Sequence, residues 1–306
     1  MVTLVPIRLV VGMTVLMLYY LICWTCTLSL APNRNEDEEE LEDYAHLCEW
    51  RRDVIVSCGR FLSRVMLVVF GFYWINETSD PESNIENGNR DQSERLIRPG
   101  AIISNHVSYV DILYHMSSSF PSFVAKRSVS RLPLVGLISK CLGCVFVQRE
   151  SKSSGFKGVS EGTTTNGNFL LPFKTGAFLA KAPVHVVILR YPYRRFNPAW
   201  DSISGVRHVM LLLCQFVNHL EVTRLPIYYP QEHEKDDPKL FADSVRRFMS
   251  KEGNLIMSDI GLTEKRIYHA ALDGNNCLPT DLHQKDDLSF SFNKELKDKV
   301  HYKTLR

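Results

Sequence analysis

The sequence predicts an α/β domain whose mostly parallel sheet is flanked by helices, preceded by an N-terminal transmembrane helix. Three observations carry that expectation. Short apolar, β-branched runs alternate with helix-length segments from residue 101 onward, the pattern of a parallel sheet. From Leu9 to Asn33 no residue is charged, a run longer than the ~20 apolar residues that span a bilayer. Polar side chains fit for chemistry, His106, Lys126 and Arg149, fall where the short strands end. Open α/β sheets gather their sites at those carboxyl ends.

Residues 1–34 read as the anchor, with Arg8 before the uncharged run and Arg34 after it. The run is too long for the ~7–15-residue core of a cleaved signal peptide, and a soluble helix would show a polar face. Residues 35–100 read as an acidic linker, a second membrane-associated helix and a polar linker. The acidic run Glu36–Glu40, with Glu42 and Asp43, is a solvated stretch. Tyr44 to Ile75 ends in an apolar run from Val65, and extending it back to Val54 brings in Arg60 and Arg64 on one helical face. Such a segment spans with snorkelling arginines, re-enters, or lies in the interface, and the sequence leaves all three open. Asn76-Glu77-Thr78 is a formal glycosylation sequon, and Thr78 to Gly100 is polar.

The folded domain is expected over 101–278. Ala101–Ser104, Phe123–Ala125, Val145–Val147 and Val184–Leu189 read as strands. Tyr109–Met116 and Leu134–Leu142 read as helices, the second stopped by Gly143. The apolar segment Val209–Val217 is too short to span and reads as a core or interface-lying helix. Asp237–Lys251 is a charged amphipathic helix, and the polar tail 279–306 reads as disordered.

A formal charge of +2 and a pI near 8.1 are too mild to imply nucleic acid. Two of the eight cysteines form Cys23/Cys26 inside the apolar run, and two more form Cys141/Cys144 in a turn with no partner pair nearby. That spacing argues against a structural zinc framework, and reduced thiols facing the cytosol fit better than a disulfide framework. No Asp-rich calcium loop occurs, so no metal is expected.

Three short blocks bear the chemistry. His106 and Asp111 supply a base and a carboxylate to orient it. Residues five apart share no helical face, so the pair works only if His106 ends a strand loop and Asp111 lies one turn into the next helix. Gly143-x-x-Phe146-x-x-Arg149 ends in a planar, permanently charged fork suited to phosphate. Glu161-Gly162-Thr163 opens a turn whose glycines let backbone approach a ligand. Alone, each has a bland reading: an incidental pair, a surface arginine, an ordinary loop. Three in order, downstream of an anchor, outweigh it.

In that order the blocks resemble the 1-acyl-glycerol-3-phosphate acyltransferase family of lysophospholipid acyltransferases, and most of all its lysophosphatidylethanolamine branch. Val124-Ala125-Lys126-Arg127 through Gly136, Phe169 through Phe178, and Ala182 through Tyr191 also match, with Val186 where the family commonly has proline. The resemblance implies transfer of a fatty acyl group from acyl-CoA, as co-substrate, to a lysophospholipid, with no cofactor. His106 and Asp111 are then catalytic, and Lys126, Gly143, Phe146, Arg149, Glu161, Gly162 and Thr163 bind substrate. It also implies the endoplasmic reticulum membrane, with the catalytic domain facing the cytosol. The cluster of Arg190, Arg194 and Arg195 around Tyr191, Tyr193 and Phe196 then faces lipid headgroups or CoA phosphates, or is a polar turn after a strand.

One block departs from the family. Its third motif is Phe-Pro-Glu-Gly-Thr, whereas Val159-Ser160 precede Glu161 here. Only Glu150 to Ser160 separate Arg149 from Glu161, where a strand–helix–strand unit takes ~30 residues. The chain reads as a full enzyme with one in-frame segment removed. Two rival readings follow: a catalytically impaired, membrane-anchored relative, and a CoA-independent transacylase sharing the His–Asp block.

Overall fold

The computed structural model describes residues 4–30, 33–34, 42–44, 47, 49–79, 100–147, 164–200 and 203–260. The expected tail 279–306, most of the acidic run and the polar linker lie outside the described residues.

Helix α1, Leu4–Thr27, is long and apolar enough to cross a membrane; at ~1.5 Å per residue its 24 residues reach about 36 Å. It has two unlike faces. Arg8, Tyr19, Cys23 and Cys26 are buried along one stripe, while Ile7, Val10, Met17, Leu21 and Trp24 are exposed. The buried stripe meets α2 (Glu49–Val69). The two approach closely because α2 carries Gly59: a Cβ there would lie 2.5 Å from the Tyr19 hydroxyl and from the Phe120 ring, a distance no packed core tolerates. Arg8 is not a free flanking charge. Its guanidinium donates to the carbonyls of Leu213 (3.1 Å) and Phe216 (2.9 Å) and to the Tyr73 hydroxyl. It thereby satisfies carbonyls at the end of α5 (Gly205–Cys214).

Two arginines of α2, Arg60 and Arg64, are spent in the same way. Arg64 donates to Phe72 O (3.0 Å) and Tyr73 O (2.7 Å), and Arg60 to Ser119 O. The segment beyond α2 is no longer helical: Ile75–Ser79 is a strand, β3, so the sequon lies within a sheet.

That sheet has four strands in the order β3, β9 (Leu220–Tyr228), β8 (Val184–Arg190), β4 (Ala101–Ser104). β3 runs parallel to β9 and β4 parallel to β8, while β8 and β9 meet antiparallel. Outside it, β5 (Val124–Lys126) pairs parallel with β6 (Val145–Val147), and β7 (Phe169–Leu170) parallel with β10 (Ile256–Met257). A two-residue antiparallel pair joins β1 (Asn33–Arg34) to β2 (Glu42–Asp43). The expected mostly parallel character holds, with β8–β9 the main exception.

β8 is nearly continuous in apolar residues because both its faces are covered. Val184, Val186 and Ile188 face one cluster with Phe241, Ala242, Val245 and Met249 of α7 (Pro238–Gly253). Val187 and Leu189 face another with Leu67, Phe72 and Leu212, and with Val110 and Tyr114 of α3 (Val110–Ser118). A third cluster joins α1 and α2 to α4 (Val135–Cys141) and to Phe146 of β6. Asp237 caps α7, accepting from Lys239 N (2.9 Å) and Leu240 N (3.2 Å) with Pro238 in the first turn. The short α6, Glu232–Asp236, precedes it.

β9 and β3 escape a sequence reading for a physical reason. β9 contains Pro226, which cannot donate to a ladder. The structure accommodates it at an irregularity where the register with β8 shifts between His185 and Val187. β3 is an edge strand with four exposed residues, so its polar composition resembles a linker.

Candidate active site

β4 delivers the site. At its end the Asn105 side chain continues the strand pairing: Nδ2 donates to Leu189 O and Oδ1 accepts from Leu189 N, both at 2.8 Å. This buried amide bracket fixes where His106 begins. The next residues turn into α3, placing Asp111 in its first turn, where a carboxylate is favoured by the helix dipole.

His106 Nδ1 donates to Asp111 Oδ2 at 2.9 Å. The same oxygen accepts from Val107 N (2.7 Å) and Ser108 N (2.9 Å), and Oδ1 accepts from the Tyr191 hydroxyl. Asp111 is 4% exposed, so four donors surround a buried carboxylate and hold it in a fixed orientation. The His106 side chain is 26% exposed. Its Nδ1 is committed to Asp111, which leaves Nε2 to face a substrate. The geometry is the one the five-residue spacing required.

Two parts of this arrangement were not evident from sequence. Asn105 is a positioning group, and its signal was a buried-type amide at a strand end next to the histidine. Tyr191 lies 80 positions from Asp111 in sequence and no local pattern announces the contact. It is buried, and burial together with the Asp111 carboxylate pushes its hydroxyl well above the ordinary tyrosine value, so it stays a donor.

Around the dyad, His115 is buried one turn along α3, and its Nε2 has no hydrogen-bond partner among the described residues. Burial pulls its titration down to about 4, so it is neutral. His208 is fully buried. Its Nε2 bonds Pro198 O and its Nδ1 the Tyr109 hydroxyl, both at 3.1 Å. That is the environment of a structural, neutral imidazole.

The other expected site residues are placed as follows. Gly143 adopts φ +67°, the left-handed turn that ends α4 and that glycine tolerates best. Phe146 is 8% exposed within the α1–α4 cluster, so its ring belongs to the core. Lys126 is the last residue of β5, in register with Val147 of β6. Arg149, Glu161, Gly162 and Thr163 lie outside the described residues. Their flanks are informative. Thr165, two positions past Thr163, donates its N–H to His106 O at 2.9 Å, and a Cβ on Gly167 would touch Val107 at 3.5 Å. The chain leaving the third block therefore runs against the histidine loop. In the basic–aromatic cluster, Arg190 donates to Gly253 O and Tyr191 to Asp111, whereas Tyr193, Arg194 and Arg195 are exposed. Cys23, Cys26, Cys141 and Cys144 are free thiols within one core cluster.

A histidine oriented by a buried carboxylate at a strand end is an arrangement suited to general-base chemistry, and comparison with known proteins defines the class as an acyltransferase. The Acyltransferase family model matches residues 84–191. Lysophospholipid acyltransferase LPEAT1 of Arabidopsis thaliana is 58% identical over 329 positions, covering 94% of this chain and 83% of that protein. Human lysophosphatidylcholine acyltransferase 1 is 28% identical, covering 91% of this chain and 52% of its own length. The chain thus spans about half the length of such longer relatives. A crystal structure of the LPA acyltransferase PlsC from Thermotoga maritima overlaps with a TM-score of 0.43 and 13% identity, covering 82% of this chain and 100% of that one, too distant to bear on the fold. The chain belongs to the lysophospholipid acyltransferases.

Proposed function

We propose that this acyltransferase moves a fatty acyl group from acyl-CoA to lysophosphatidylethanolamine, and to related lysophospholipids, at the endoplasmic reticulum membrane, its catalytic domain facing the cytosol. The observation that carries the reading is the oriented, accessible imidazole of His106 on a buried, fully hydrogen-bonded Asp111. The headgroup is supported by the 58% identity to LPEAT1, and the membrane setting by the exposed apolar face of α1.

In the step proposed, His106 Nε2 takes the proton of the acceptor hydroxyl while its oxygen attacks the thioester carbonyl. Asp111 stabilises the imidazolium that forms. The tetrahedral intermediate collapses, the C–S bond breaks, and the imidazolium returns the proton to the departing CoA sulfur. Acyl-CoA is a co-substrate, so the step balances without a cofactor. Arg149, Lys126 and the Glu161–Thr163 turn, with Gly143 shaping the approach, hold the phosphate-bearing substrates in line.

A second reading has its own observation. The match to LPEAT1 extends over 329 positions, more than the 306 residues of this chain, so part of the relative has no counterpart here. The short interval from Arg149 to Glu161 is the natural place for that loss, and it makes this chain a catalytically impaired form. One experiment tests both. Microsomal acyl transfer from acyl-CoA is compared for this chain and for a version with the relative's intervening segment inserted between Arg149 and Glu161. Activity restored by the insertion supports both statements. Equal specific activity removes the impairment, and an inactive restored version that remains folded removes the proposed reaction.

A further inference from the structure

One cleft has no part in the dyad. It has a volume of about 500 Å3, within the ~300–1,000 Å3 of small-molecule sites. It opens where β8 ends and where β3 and β9 begin, and Trp74, Asn76, Tyr193, Arg194, His219 and Glu221 line it. Trp74 and Tyr193 are 73% and 58% exposed. Large aromatics left so open mark a surface that meets something, and indole and phenol rings favour the membrane–water boundary. The position in the fold agrees. Tyr73, beside Trp74, packs edge-on to that ring (5.7 Å), lies tilted against exposed Phe216 (6.2 Å), and accepts a hydrogen bond from Arg8 of α1. The cleft therefore adjoins one end of the helix with the exposed apolar face.

Its charges are mixed and uncommitted. Among the described residues, the side chains of Arg194 and Glu221 have no hydrogen-bond or ion-pair partner. A guanidinium is matched to a phosphate, a carboxylate to an ammonium, and the aromatic faces to the cation as well. A nucleotide bearing several phosphates would be repelled by Glu221; a zwitterion would use both groups.

We propose that this cleft is a docking site for the headgroup of a zwitterionic phospholipid, Arg194 binding its phosphate and Glu221, with Trp74 and Tyr193, its ammonium. The site is separate from the His106–Asp111 dyad and does not depend on the reaction assigned to it. It gives the domain a headgroup contact at the bilayer surface next to α1.

The test uses the purified full chain in detergent, with native mass spectrometry counting adducts of a short-chain phosphatidylethanolamine, a short-chain phosphatidylglycerol, and free CoA. Arg194→Gln should weaken both lipids about tenfold, the size of one charge-assisted contact. Glu221→Gln should weaken the ethanolamine lipid alone, because phosphatidylglycerol has no ammonium. Both positions are exposed, and an unchanged melting temperature confirms that the fold is intact. Ethanolamine-lipid binding unaffected by either substitution overturns the proposal. So does CoA displacing that lipid from the wild-type chain while losing its own binding in Arg194→Gln, which would make the cleft a nucleotide site.

Discussion

Replacing Tyr191 by phenylalanine removes a single donor from the Asp111 carboxylate. The ring keeps its place: it packs edge-on against Phe72 at 5.8 Å in the core cluster beneath α3, and phenylalanine fills the same volume. What changes is Asp111 Oδ1, for which the Tyr191 hydroxyl is the donor found among the described residues. A hydrogen bond to a charged group contributes roughly 1.5–3 kcal/mol. Stripped of it, the buried carboxylate keeps three of the four donors that fix its orientation, and chemical denaturation should show a loss of that size. Loss of a fixed orientation should lower kcat about tenfold while leaving KM for acyl-CoA nearly unchanged. The assay is acyl transfer in the segment-restored protein, with denaturation of this chain as the readout that needs no turnover. Wild-type kcat together with wild-type stability would show that the hydroxyl only fills space.

His106→Ala should cost about 10²–10⁴-fold in turnover, the range for a general base, with unchanged circular dichroism and melting temperature; activity near wild type would exclude the dyad. Asn105→Ala leaves Leu189 N and O unpaired in the core and should cost roughly 2–5 kcal/mol in chemical denaturation. His115 is held neutral down to about 4 from an ordinary 6.5. Its folded value lies below its unfolded one, so the unfolded chain binds the extra proton between them. Stability should fall by about 3 kcal/mol as pH drops from about 6.5 to 4, and a His115→Gln protein should lack that component. Finally, α1 should hold the protein in carbonate-washed membranes, and release of the intact chain would exclude it as an anchor.

Much of this protein is local. An uncharged run long enough for a bilayer, the short apolar strands, Gly143 as a helix stop and the charged amphipathic helix beginning at Asp237 all follow from composition and spacing. Those properties depend on neighbours within a few positions. The His106–Asp111 spacing belongs with them, since one strand end and one helical turn suffice to bring base and carboxylate together. Long-range packing decided the rest. β9 joins the sheet centre despite Pro226 because a register shift against β8 absorbs it, and β3 is a strand only because β9 lies beside it. Arg8 looked like the flank of a membrane run until the end of α5 arrived to use it. Tyr191 completes the site for the same reason. The burial that makes its hydrogen bond to Asp111 strong exists only once β4, β8 and α3 have come together, and contacts 80 residues apart leave no mark on the sequence near either partner.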